Sequence, residues 1–128
     1  MQTLLLPLTV LVPSQEEVYR WNLDDLARAY QLKKKIRQPG VFKREDNKFV
    51  IYDGHHRVYY QFESNKHNIK VNLIEAEVDI WRYDGPFYSR KGDDDIFPSE
   101  RGGTLYAASD LEKRGIKSIE DMVVNEEE

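Results

Sequence analysis

The stretch FVIYDGHHRVYY, residues 49–60, sets Asp53, Gly54, His55, His56 and Arg57 between two hydrophobic runs. All 3 histidines of the chain fall between residues 55 and 67, and two of them are adjacent here. These residue types suit an anion. Arginine offers a planar fork to a phosphate, where lysine offers only a point charge. An imidazole titrates near a pKa of about 6.5, so a bound phosphate favours its protonated form, in which both ring nitrogens donate. With a strand ending at Asp53, Gly54 permits a tight turn and a helix starts within a residue or two. The unpaired N–H groups of that helix's first turn, with the positive end of its dipole, then face the same space. Two adjacent histidines are not expected both to face a core, so Gly54, His55, His56 and Arg57 read as a phosphate site. Asp53 is the odd member, because a carboxylate repels a phosphate. Three roles stay open for it: holding a Mg²⁺ that accompanies a nucleotide, acting as a base, or capping the helix.

A metal site is the competing chemistry. Adjacent histidines point different ways on a helix, and the i, i+4 spacing that aligns two ligands is missing. With no cysteine and only His67 to add, no structural metal is expected. Asp93, Asp94 and Asp95 read as a solvated acidic loop before they read as Mg²⁺ ligands, and SERGGT (99–104) is a weak phosphate-loop candidate. Tyr52, Tyr59, Tyr60, Phe62 and Trp81 could stack on a base, but most are expected in the core. Lys33, Lys34, Lys35 and Arg37 make a nucleic-acid patch the less favoured reading.

The elements that must position the pentapeptide follow from hydrophobic period and turn chemistry. Residues 3–12 read as a first buried strand, followed by a polar connection, VPSQEEVYRW. A helix is expected over 23–37, with Asn22 as its N-cap, Asp24 and Asp25 in its first turn and basic residues in its last two. QPG (38–40) ends it. VFK and KFVIYD flank REDN as a hairpin, a second helix runs from His55 to about Ser64, and residues 69–83 alternate as one long strand or two strands bent near Glu75–Ala76. Residues 84–104 read as a long loop. SDLEKRG carries a capping box, Ser109 with Glu112, and a stop at Gly115. A further short helix is expected from Ser118, with a frayed NEEE tail. The expected organisation is a single small α+β domain over 1–128, with its core at 3–83 and a C-terminal helical segment at 105–124.

Bulk properties narrow the classes. A chain of 128 residues with 40% hydrophobic and 33% charged residues can bury one core. The absence of cysteine excludes disulfides, zinc–thiolate sites and thiol chemistry. MQTLLLPLTVLVPSQEE has no basic leader or small-residue cleavage site, and its apolar run is too short to span a bilayer. A cytoplasmic protein without a membrane partner is expected. The net charge of −4 hides a basic middle, 28–70, between acidic flanks. That suits an anion on one face but argues against strong nonspecific DNA binding.

The order strand, polar connection, helix ending in IRQPG, strand, VIYDGHHRVYY and then IKVNLIE resembles the ParB/sulfiredoxin superfamily over about residues 3–75. The resemblance implies a mixed sheet with helices packed on it and a box at a strand–helix junction that holds nucleotide phosphates. Sulfiredoxin activity is excluded, because Gly54-His55 stands where those proteins need Gly-Cys. A partition-type helix-turn-helix domain has too few residues after Glu75, and those are too acidic. The free serine kinase branch is most similar in the box and in the acidic pair of VPSQEEV. By that likeness, His55, His56 and Arg57 bind phosphate, Asp53 lies at the transfer site, and Glu16 or Glu17 activates a small hydroxyl acceptor. The implied function is a nucleotide-dependent phosphotransferase or nucleotide hydrolase, with ATP, ADP or CTP as ligand, with or without Mg²⁺. The alternative is a DNA-associated ParB-like nuclease or partition-type module without catalysis.

Overall fold

In QTLLLP the side chains alternate, and the first strand, β1 (Gln2–Pro7), turns Leu4 and Leu6 towards the core while Leu5 is exposed. The computed structural model describes residues 2–74, 97–98, 104–106 and 108–126. The strand expected over 3–12 is two strands. Pro7 has no N–H to extend a ladder, and a 3-10 turn over Leu8–Val10 leads into β2 (Leu11–Val12), both of whose residues are buried. A short strand, β3 (Glu17–Tyr19), lies within the stretch expected to be only a polar connection, and runs directly into α1 (Arg20–Gln31).

Next come the hairpin β4 (Gly40–Lys43) and β5 (Phe49–Asp53), α2 (His55–Glu63) and β6 (Asn68–Leu73). The hairpin and α2 lie where expected; β6 covers only the start of the strand expected over 69–83, Ile74 is already outside it, and residues 75–83 lie outside the described residues. Two-residue strands, β7 (Phe97–Pro98) and β8 (Thr104–Leu105), pair antiparallel within the segment read as a loop. A short helix, α3 (Ala108–Lys113), a 3-10 turn at Ile119–Asp121 and β9 (Val123–Asn125) follow.

The main sheet has the order β1-β6-β4-β5-β2. It is mixed: β1 is antiparallel to β6, β4 parallel to β6, β4 antiparallel to β5, and β2 parallel to β5. β1 and β2 form opposite edges although only a three-residue turn separates them. Pro7 to Leu11 can reach at most about 14 Å, whereas four spacings in a flat sheet need about 19 Å. The sheet must therefore curl until its edges approach. β3 pairs parallel with β9 in a separate two-stranded sheet.

One core joins Leu11, Val41, Ile51 and Val71 of the sheet to Val18, Leu23, Val58 and Tyr59, and to Leu111, Ile119 and Met122 further along. Tyr30 and Tyr60 stack at 4.9 Å between α1 and α2, and Arg20 hydrogen-bonds Glu63 across the same pair. The described part is an α+β domain with helices packed on a mixed sheet.

Helix boundaries differ from expectation at α1. It starts at Arg20, so Asn22, Asp24 and Asp25 lie inside it. It ends at Gln31 because Lys33 adopts φ 56° and the Lys33 and Lys34 amides bond back to the carbonyls of Tyr30 and Ala29. That is a Schellman turn with lysine where glycine is usual, and it leaves Lys33, Lys34, Lys35 and Arg37 beyond the helix. Asn65 and Gly115 close α2 and α3 with the same bonding pattern. Ser109 lies inside α3 rather than at its cap, and the capping box is instead Ser118 with Asp121.

Candidate functional site

The site is built where β5 becomes α2. Gly54 occupies the N-cap of α2 with φ 96° and ψ 30°, a left-handed conformation that glycine adopts without a Cβ penalty. Space demands glycine as well. A Cβ there would lie 3.0 Å from Pro39 Cβ and 3.1 Å from Arg57 Cζ. The helix therefore starts one residue after the strand, with the Arg57 side chain folded back over the turn. Its first intrahelical bond runs from the Val58 amide to the Gly54 carbonyl at 2.9 Å, and no side chain caps the N-terminus.

Both histidines are buried, with 3% of His55 and 8% of His56 exposed, against the expectation that one at least would face solvent. Successive residues on a helix point about 100° apart, and the segment between β2 and α1 wraps far enough to cover both directions. His55 Nε2 accepts the Ser14 backbone N–H at 2.9 Å, and the Ser14 hydroxyl donates to the Ile51 carbonyl. His56 Nε2 accepts the Tyr19 backbone N–H at 2.9 Å, and its ring stacks on Tyr19 with centroids 6.0 Å apart. A nitrogen that accepts an N–H carries no proton, so each neutral ring holds its proton on Nδ1. Burial pushes His55 down to about 3, with help from the charges of His56 and Arg57. It pushes His56 down to about 4, with Arg57 contributing. The imidazoles are thus not the cationic double donors expected from their neighbours in sequence. They are neutral pins that fasten Ser14 and Tyr19 to the start of α2.

The charged group is Arg57, whose side chain is 15% exposed. Its Nη2 donates to Asp53 Oδ2 at 2.8 Å and its Nη1 donates to the Arg37 carbonyl. Arg37 Nη2 donates to the same Oδ2 at 2.9 Å. Two guanidiniums therefore converge on one carboxylate oxygen beside the open end of α2. Asp53 does not cap the helix. Arg37, grouped by sequence with the lysines before it, belongs to this cluster.

Glu16 and Glu17 lie on the segment clamped by the two histidines. Glu16 Oε2 pairs with Arg114 at 3.0 Å, and that guanidinium also sits 5.0 Å from the centre of the Tyr106 ring. Glu17 Oε1 accepts the Tyr19 hydroxyl at 3.1 Å. The C-terminal segment fixes their backbone: the Val123 amide bonds the Glu16 carbonyl and the Tyr106 amide bonds the Ser14 carbonyl. No described hydrogen bond or ion pair joins either glutamate to Asp53. Buried Gln15 donates to the Glu17 carbonyl at 2.6 Å.

No family model matches the chain, and no curated protein matches it. Solved structures do. The crystal structure of protein Atu1540 from Agrobacterium tumefaciens superposes with a TM-score of 0.54 at 14% identity, covering 98% of this chain and 63% of that one. The C-terminally truncated chromosome-partitioning protein ParB from Caulobacter crescentus, complexed with CTP-gamma-S, gives 0.49 at 15% identity, covering 73% of this chain and 57% of that one. This chain thus spans less than two thirds of either neighbour. The likeness to Atu1540 is one of fold, a mixed sheet with helices packed on it.

The remaining sequence candidates divide. Tyr52 and Tyr59 are core residues, and Tyr60 and Phe62 pack against the core. Lys33, Lys34 and Lys35 are exposed in the turn after α1. Trp81, Asp93 to Asp95 and Ser99 to Gly103 lie outside the described residues. Among the described residues no cluster of three or more His, Cys, Asp or Glu could hold a metal, and no helix is long and apolar enough to cross a membrane. Sequence reasoning missed Ser14 and Tyr19, whose roles are played by backbone amides that no residue type announces.

Proposed function

We propose that the chain is a nucleotide-binding ParB-like module that holds its ligand's phosphates at the start of α2. The observation that carries this reading is the convergence of the Arg37 and Arg57 side chains on Asp53 beside an N-terminus that no side chain caps. Unpaired amides and guanidinium forks are complementary to phosphate oxygens. Gly54, His55 and His56 would contribute through their main-chain N–H groups, with Arg57 supplying charge. The histidine rings act indirectly, by holding the helix start in place.

The enzymatic form of this reading is a small phosphotransferase of the serine-kinase type, or a nucleotide hydrolase. Phosphoryl transfer needs mainly positioning and charge neutralisation. The acceptor oxygen would bond to phosphorus as the bridging P–O bond breaks, and the acceptor proton would pass to Glu16 or Glu17. Asp53 would lie at the transferred group. In support, Glu16 and Glu17 fall between Ser14 and Tyr19, the two residues pinned to His55 and His56, so their backbone cannot drift from the box.

The test is thermal unfolding of wild type and Arg57→Ala with ATP, ADP, CTP, GTP and pyrophosphate, each with and without Mg²⁺. A ligand at about 100 times its Kd stabilises by roughly 2.7 kcal/mol, a shift of several degrees in a domain of this size. A shift in wild type that disappears in Arg57→Ala supports the reading and names the nucleotide. No shift with any ligand rejects it. Turnover lost in Glu17→Ala with affinity retained would then support the transferase.

A further inference from the structure

We infer that Arg37 is a second anion-binding residue of this site and that Asp53 is an internal carboxylate that occupies the anion seat until a ligand displaces it. The inference rests on reading the start of α2 as a phosphate site. Its geometry is the shared oxygen: Arg37 at 2.9 Å and Arg57 at 2.8 Å both donate to Asp53 Oδ2.

The backbone around Arg37 is fixed. Its carbonyl accepts Arg57 Nη1, Pro39 packs against Gly54, and the Pro39 carbonyl accepts the Asn72 amide at 2.7 Å, tying the segment to β6. The Arg37 side chain, by contrast, is 54% exposed and reaches Asp53 from solvent. An ion pair with so exposed a partner holds weakly and is easily exchanged. The arginine that anchors the site and the arginine that can let go are thus different residues.

Charge and shape both favour exchange. One carboxylate between two guanidiniums leaves a net positive charge, and a single oxygen serves both donors. A phosphate dianion spreads its charge over several oxygens and can accept a separate bond from each arginine, the geometry guanidinium forks prefer. Asp53 cannot remain in place when it does, because two anions would share the seat. Ligand arrival therefore occupies Arg37 and Arg57 and frees the Asp53 carboxylate together. The ligand class is a phosphate or diphosphate group, and Asp53 weakens its binding as a built-in competitor.

The experiment is calorimetric titration of pyrophosphate, in EDTA and at fixed ionic strength, into wild type, Arg57→Ala, Arg37→Ala and Asp53→Asn. Arg57→Ala should abolish binding. Arg37→Ala should weaken it by about tenfold, the worth of one hydrogen bond to a charged group. Asp53→Asn should strengthen it by about tenfold, because the competitor is gone. Unchanged affinity in Arg37→Ala, or unchanged or weaker affinity in Asp53→Asn, overturns the inference; if Arg57→Ala still loses binding, the phosphate reading survives. No binding by wild type and Asp53→Asn alike overturns both. A readout on unaltered protein covers variants that fail to fold. The Asp53 carboxylate carbon resonance should move as pyrophosphate is added, and a resonance that stays fixed at saturation overturns the displacement.

Discussion

His56 Nε2 accepts the Tyr19 amide at 2.9 Å, so the second residue of α2 and the last residue of β3 share a hydrogen bond that only a neutral ring can make. His55 makes the equivalent bond to Ser14. Protonating either ring would turn its acceptor into a donor facing an N–H, inside the protein.

Acid should therefore unfold the domain at pH values that leave surface histidines harmless. Burial holds His55 near 3 and His56 near 4, against an ordinary value of 6.5. Below pH 6.5 the unfolded chain takes up protons at these positions and the folded chain does not, so stability falls as pH falls. The contribution is complete above about pH 6.5 and declines towards the folded values, at up to about 1.4 kcal/mol per pH unit per ring. Urea midpoints measured from pH 7.5 to 4.5 should show this decline, and His56→Gln should make it shallower by about one proton. Equal slopes in the two proteins would count against the pin.

Glycine substitutions separate strain from crowding. Gly54→Ala must meet Pro39 and Arg57 at a φ of 96°, whereas Gly115→Ala has a φ of 91° and nothing within 4 Å. Gly115→Ala should cost about 1 kcal/mol, from backbone strain alone. Gly54→Ala should cost roughly 2–3 kcal/mol and disturb Arg57. Denaturant titration of the two variants side by side decides the point.

Amide exchange reads the pins directly. The Tyr19 N–H should be protected in the wild type, and His56→Ala should expose it while amides in β4 to β6 stay slow. The substitution should also lower global stability by on the order of 2 kcal/mol, from a buried donor left unpaired. Unchanged protection at Tyr19 would mean the bond is not what holds that segment.

Arg44 ties the hairpin turn to α3, its Nη1 donating to Glu112 at 2.6 Å and its Nη2 to Asp46 at 2.7 Å. Hydrogen bonds to both carboxylates raise its pKa above the ordinary arginine value. Glu112→Ala should cost about 1 kcal/mol, the upper end for a partly exposed pair. High salt should shrink that difference. A salt-independent loss would point to packing instead.

The hairpin and α2 were legible in sequence because their information is local: REDN between apolar runs, then Asp-Gly before an aromatic helix. β3 was not. Its three residues look like linker, and they become a strand only because Val123–Asn125 lies alongside. The start of α1 follows from the same pairing, since Tyr19 remains extended as part of β3 and the favourable cap at Asn22 is passed over. The inward turn of both histidines escaped for a related reason. Ring polarity argues for solvent unless a backbone donor arrives from elsewhere, and Ser14 and Tyr19 arrive from some forty residues away. Arg37 looked like one more member of a basic run until the left-handed Lys33 turned the chain aside.

The pairing of β3 with β9 also orders events in time. At roughly 5–20 residues per second, a ribosome that has made Glu17–Tyr19 needs several more seconds to reach Val123–Asn125. Once Glu63 has been made, the strand–turn–helix of β5 and α2 and the Arg37 segment before it are all present, while the segment bearing Glu16 and Glu17 still lacks its parallel neighbour. The nascent chain thus carries the Arg37–Asp53–Arg57 cluster before the strand bearing Glu17 is fastened by its C-terminal neighbour.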